Sequence, residues 1–190
     1  FLMGFQAWLG ATVVYSVLQP VQITLHMLMA LLIVALMVYL ISELPKNKQA
    51  KQVIYDHRLQ KILRLAILLT IIQITLGTQV RQLIDEISTG LGYDQRDLWI
   101  GLIGNTFKVH RSFAIILVVV NGLLFINNYK FKLGFNLPKY ILGAVFIEVL
   151  SGVVLSYLDM MALMQPVHMV AASVLFVLQV AMYFKIKNLR

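Results

Sequence analysis

The sequence predicts an all-α, polytopic membrane helix bundle, and three observations carry that reading. Hydrophobic residues make up 60% of the chain and charged residues only 13%, where a soluble domain carries about 25% charged residues. Six apolar stretches, at about 1–18, 20–42, 60–80, 109–127, 139–158 and 160–184, have the length of a membrane-spanning helix. Twelve of the sixteen Lys and Arg fall in the 43–64 loop, the 128–139 loop and the C-terminal tail. That asymmetry follows the positive-inside rule. It places those loops in the cytoplasm or its organellar equivalent. The connections at 17–22, 81–109 and 157–166 then lie outside, with Arg81, Arg96, Lys108, Arg111 and the acids Asp85, Glu86, Asp94, Asp97 and Asp159. The net charge of +8 therefore reads as a topology signal, and no nucleic-acid partner is expected.

In order, the segments pair as first with second, third with fourth and fifth with sixth, each pair running out and back. Pro20 suits the first turn of the second helix, where its missing N–H costs nothing. The basic 45–61 stretch reads as a linker, and His57 within it as a solvated loop residue. The 81–109 connection is expected to be an outer loop with a short interfacial helix that lays Trp99 at the headgroup level. Pro166 has two readings: it kinks a last helix capped at Asp159, or it marks where that helix begins. With no cysteine in the chain, disulfides, thiolate metal sites and covalent haem attachment are excluded. The chain opens at Phe1 inside an apolar stretch without a basic leader, so it does not read as a signal peptide.

The most informative pattern is a repeat. His26 follows Gln6-x-x-Leu9-Gly10, His110 follows Gln73-x-x-Leu76-Gly77, and His168 follows Glu148-x-x-Ser151-Gly152. The glycine-to-histidine step is 16 residues in the first and third copies and 33 in the second. The topology puts all three histidines near the outer ends of inward-running helices, at one depth. Imidazoles from neighbouring helices at one depth can ligate a haem iron from both faces. The glycines permit either close helix packing or the approach of a flat macrocycle. Arg81 and Arg111, with Lys108 a weaker candidate, lie where haem propionates would be. Arginine pairs bidentately with carboxylates; the simpler role is an interface anchor, or for Arg81 a partner for Asp85 or Glu86. Glu148 is the one acid deep in an apolar segment. It is either a structural substitute for glutamine or a proton-handling group. Met27 and Met169, each next to a histidine, point about 100° away around the helix and are poor second ligands.

At these residues the chain resembles the haem A synthase family of bacteria and mitochondria. The resemblance rests on Gln73-Ile74-Thr75-Leu76-Gly77-Thr78-Gln79-Val80-Arg81 and Val109-His110-Arg111-Ser112. It extends to Gln6-Ala7-Trp8-Leu9-Gly10, Leu25-His26-Met27-Leu28 and Gln165-Pro166-Val167-His168. It implies eight helices in two pseudo-symmetric four-helix halves, of which six are visible here. Residues 1–44 match the last two helices of the N-terminal, substrate-haem half, 45–61 the cytoplasmic linker, and 62–187 the C-terminal, haem b half. It implies that His110 and His168 ligate haem b, that His26 is a ligand in the substrate-haem site, and that two further helices precede Phe1. The family's first histidine and catalytic glutamate match nothing in this sequence, so the catalytic residues stay unassigned. The implied activity is oxidation of a haem O methyl group to the formyl of haem A in a cell or mitochondrial inner membrane, in support of cytochrome oxidase assembly. Implied partners are membrane lipid, a haem O synthase, an electron donor and a second copy of the chain. The residues alone leave two other readings open. One is a b-type cytochrome subunit that only transfers electrons; the other is a structural subunit or transporter without haem.

Overall fold

A computed structural model describes residues 1–15, 20–44 and 55–189. The described residues form seven helices and no strand. These are α1 (Leu2–Tyr15), α2 (Pro20–Glu43), α3 (His57–Gly90), α4 (Arg96–Ile103), α5 (Asn105–Lys130), α6 (Leu137–Tyr157) and α7 (Met164–Lys187). Five of them, α2, α3, α5, α6 and α7, are long and apolar enough to cross a membrane, while α1 is a shorter apolar helix. The chain is thus a multi-pass membrane helix bundle.

Helix α3 packs against α5 and α7, and α6 packs against the same two, so these four make a bundle in which α5 faces α7 on one diagonal. Helix α2 lies outside it against α3 and α7, with α1 against α2. Leu59, Leu63, Leu117, Leu124, Ile141, Leu175 and Met182 are among the residues that fill the half of the bundle away from the histidines. A smaller cluster of Leu31, Ile74, Phe176 and Val180 holds α2 to it. Hydrophobic burial drives little of this inside lipid; close van der Waals packing and interhelical hydrogen bonds do the work.

Asp56 caps α3, its side chain accepting from Leu59 N at 2.7 Å. His57 is therefore the exposed first residue of a helix, not a loop residue, and the part of the linker at 45–54 lies outside the described residues. At the inner end of α5, Asn128 closes the turn to α6. Its amide donates to Phe135 O at 2.9 Å and its carbonyl accepts from Phe135 N at 3.2 Å.

The outer connection departs from expectation. Helix α3 does not stop near residue 80 but runs 34 residues to Gly90, about 51 Å at 1.5 Å per residue against a hydrocarbon core of about 30 Å. Its outer turns are stitched by Arg81–Asp85 and Gln82–Glu86 contacts, and Ile84 is buried beneath α4. The short helix expected there is α4, but Trp99 turns inward. It is 5% exposed, packs with Ile84, Ile103 and Met160, and donates from Nε1 to Asp94 O at 2.9 Å. Gly104, with φ 69°, makes the sharp step from α4 to α5 that a side chain would resist.

Pro166 lies in the first turn of α7, which starts at Met164. Asp159 has φ 46° and caps nothing. The second reading of this proline holds: its missing N–H falls where a helix leaves that group unpaired anyway, so no kink follows.

Candidate functional site

The three repeat copies form the same cradle. In the first, Gln6 Nε2 donates to the backbone oxygen of His26 at 3.2 Å and lies 3.3 Å from its ring Nε2. In the second, Gln73 Nε2 donates to His110 O at 3.2 Å and lies 3.4 Å from Nε2. In the third, Glu148 Oε1 lies 3.2 Å from His168 Nε2. Glu148 thus takes the place that the glutamines hold, as its position in the repeat implied.

The glycines do something neither expected reading contained. A Cβ at Gly10, Gly77 or Gly152 would sit 3.1, 3.3 and 3.3 Å from Cε1 of His26, His110 and His168 respectively. Each glycine is the notch that receives the imidazole of its own copy. Close helix approach is the means, and seating the ring is the result. The signal was present in the sequence, since each glycine belongs to a motif that pairs with one histidine. A second unread signal is the alanine four residues beyond each histidine, Ala30, Ala114 and Ala172. At that spacing it stands one turn further along on the same face as the histidine.

His168 is fixed further. Its Nδ1 lies 2.9 Å from Ser151 Oγ and 3.1 Å from the backbone oxygen of Glu148. A carbonyl oxygen only accepts, so Nδ1 carries a proton, and the 3.2 Å contact of Nε2 with Glu148 Oε1 needs a further proton on one of those two atoms. Ser151 stands where the other copies have Leu9 and Leu76, and its role was not read from the sequence.

Tertiary structure then separates the copies. The rings of His110 and His168 come together from the diagonal helices, edge toward face, with centroids 6.4 Å apart and planes at 68°. Two imidazoles ligating one metal through nitrogens at about 2.0 Å, with both nitrogens on the line between the rings, have ring centres about 6.3 Å apart. Both rings are half-buried, on helix turns above the packed core: α5 buries no residue before Leu117 and α7 none before Ala171. His110 Nδ1, Gln73 Oε1 and Glu148 Oε2 are buried there without a partner, a polar need that packing has not met. Among the described residues, no group of three or more His, Asp or Glu could hold a bare ion. Two facing imidazoles suit instead a metal whose other ligands come from a macrocycle, so the residues fit a haem. For either Nε2 to take a metal, Glu148 would have to turn its carboxyl from His168 and Gln73 its amide from His110.

His26 faces no second histidine among the described residues. A separate open cleft of about 420 Å³ is lined by Thr24 of α2, Gln79 and Gln82 of α3 and Thr106 of α5, and a Thr24–Thr78 hydrogen bond of 2.8 Å ties α2 to α3 there. Arg81 is paired with Asp85 on its own helix at 3.1 Å, both exposed. Arg111 is exposed, its guanidinium 5.7 Å from the centre of the Phe107 ring, and Lys108 is exposed. Met27 packs toward the α2–α3–α7 cluster, and Met169 is 44% exposed.

No curated protein and no solved structure matches the chain. Residues 1–180 match the COX15-CtaA family, described as cytochrome oxidase assembly protein, so a multi-pass helix bundle with three cradled histidines is assigned over nearly its whole length: the chain belongs to the COX15-CtaA family of haem A synthases.

Proposed function

We propose that this chain is a membrane haem-binding oxidoreductase that converts a haem O methyl group to the formyl of haem A, with His110 and His168 holding a haem b. The observation that carries the proposal is the 6.4 Å facing of those two imidazoles across the bundle diagonal. Haem b bound there would supply reversible one-electron chemistry that could carry off electrons released by the methyl group, whose new oxygen atom would come from water or dioxygen. The chain's own residues do the rest. Gly77 and Gly152 seat the rings, Gln73 and Ser151 orient them, and the Nδ1 proton of His168 leaves Nε2 as the ligating atom. Arg111, exposed beside His110, is the better placed for a propionate, with Arg81 engaged by Asp85. His26 serves the substrate-haem site. Haem O arrives from a haem O synthase within a cell or mitochondrial inner membrane.

The b-type cytochrome reading rests on the same two imidazoles, which would hold a haem that only transfers electrons. One experiment separates the two. The complete gene product is purified, its reduced-minus-oxidised spectrum recorded and its haems extracted. Haem b together with haem A supports the oxidoreductase; haem b alone supports the cytochrome. An unchanged bis-imidazole signal in His168→Ala would show that the ligands are misassigned.

A further inference from the structure

Eleven residues beyond each histidine of the facing pair stands a buried amide, Asn121 on α5 and Gln179 on α7. Eleven residues make three turns plus about 20°, so each amide lies beneath its histidine on the same face, about 16 Å deeper. Gln179 Nε2 donates to Asn121 Oδ1 at 3.0 Å, and Asn121 Nδ2 donates to Leu117 O at 2.8 Å. Both side chains are fully buried. The bond joins the two diagonal helices directly, where every other neighbour of either in the bundle is α3 or α6. Above and below it the stripe is apolar: Leu117 and Leu175 stand seven residues beyond the histidines, Leu124 and Met182 fourteen.

Leucine stripes would hold α5 and α7 in the bundle by packing alone, and they tolerate sliding and rotation. A buried amide pair is costly in a membrane interior, and here Gln179 Oε1 finds no partner among the described residues. What such a pair contributes is register, because its hydrogen bond is made at only one relative height and rotation, as a single buried polar position does in a coiled coil. We propose that the Asn121–Gln179 bridge is a positioning clamp: it fixes α5 against α7 and so holds the imidazoles of His110 and His168 against each other. The functional weight of the clamp rests on the haem reading above; its mechanical action does not. The contrast within the chain supports it. The residue eleven beyond His26 is Met37, which is 56% exposed, and His26 has no facing histidine among the described residues.

The test uses the complete gene product with Asn121→Leu, Gln179→Leu, both together, and the exchange Asn121→Gln with Gln179→Asn. Haem retention is expected to fall about tenfold in the leucine variants, at the low end for loss of a group that supports metal ligands. The low-temperature electron paramagnetic resonance signal of the remaining ferric haem shifts or broadens and its midpoint potential moves. The double variant behaves like either single one, and the exchange restores the parent signal. A merely structural bridge would lower thermal stability and leave the signal and potential of the remaining haem unchanged; that outcome overturns the proposal. A haem-free arm reads the clamp alone. The chain has no cysteine, so spin labels at Lys108→Cys and Gln165→Cys report the α5–α7 separation. The distance distribution is expected to be narrow in the parent and broad in the leucine variants, and equal widths overturn the clamp. If the parent binds no haem, the haem reading falls while the label distances still decide this one.

Discussion

The α1–α2 pair and the four-helix bundle contain the same cradle and do different things with it. In both, a glutamine or glutamate reaches the histidine of the next repeat helix and a glycine makes the notch for its ring. In the bundle, two cradles are turned toward each other and their rings meet at a spacing that suits one metal. In α1–α2, the cradle is complete and the histidine has no facing partner among the described residues. A local motif therefore sets the pose of an imidazole, and the packing of helices across a diagonal makes a site of it.

The largest effect that tests this difference is loss of a ring. His110→Ala and His168→Ala should each abolish the haem b band, while His26→Ala should leave it intact; a band lost equally in all three variants would show that the copies are not distinct. Filling the notches comes next. Gly77→Val and Gly152→Val push side-chain atoms into rings that a Cβ alone would approach at 3.3 Å, and overpacking of this kind costs about 1–3 kcal/mol. Haem content should drop sharply, whereas Gly10→Val should spare haem b and disturb only the His26 site. Removing an orienting group is milder. Gln73→Leu should weaken haem binding about 10–100-fold. Glu148→Gln, which makes the third copy like the first two, should keep the haem and shift only its potential. Haem titration of the purified variants ranks these two, and a reversed order would assign Glu148 more than an orienting role. The smallest effect belongs to the outer arginines. Arg81→Gln breaks an exposed pair worth about 0–1 kcal/mol and should change haem affinity less than Arg111→Gln does; equal losses would place both on the propionates.

Much of the site could be read in the sequence because the repeat is local. Gln, Glu, Gly and His recur in one order, and the structure joins them copy by copy. The glycines were harder to read because packing and haem contact both explain a small residue, and only coordinates show a histidine ring 3.1–3.3 Å from the absent Cβ. Ser151 was missed because leucine fills its place in the other copies. The outer end of α3 was cut short because its apolar run ends near Arg81, while the helix continues on i,i+4 contacts and on burial of Ile84 under α4. Trp99 was placed at the membrane surface by composition, and tertiary packing turned it inward.

By itself the sequence determined the membrane class and the three repeated motifs, because each follows from hydropathy or from spacing along one or two neighbouring helices. Tertiary structure alone decided that His110 and His168 face each other and that Asn121 meets Gln179. Those contacts join residues 58 positions apart on helices that are not consecutive. Their spacing depends on how four helices fill the space between them, which no local pattern records.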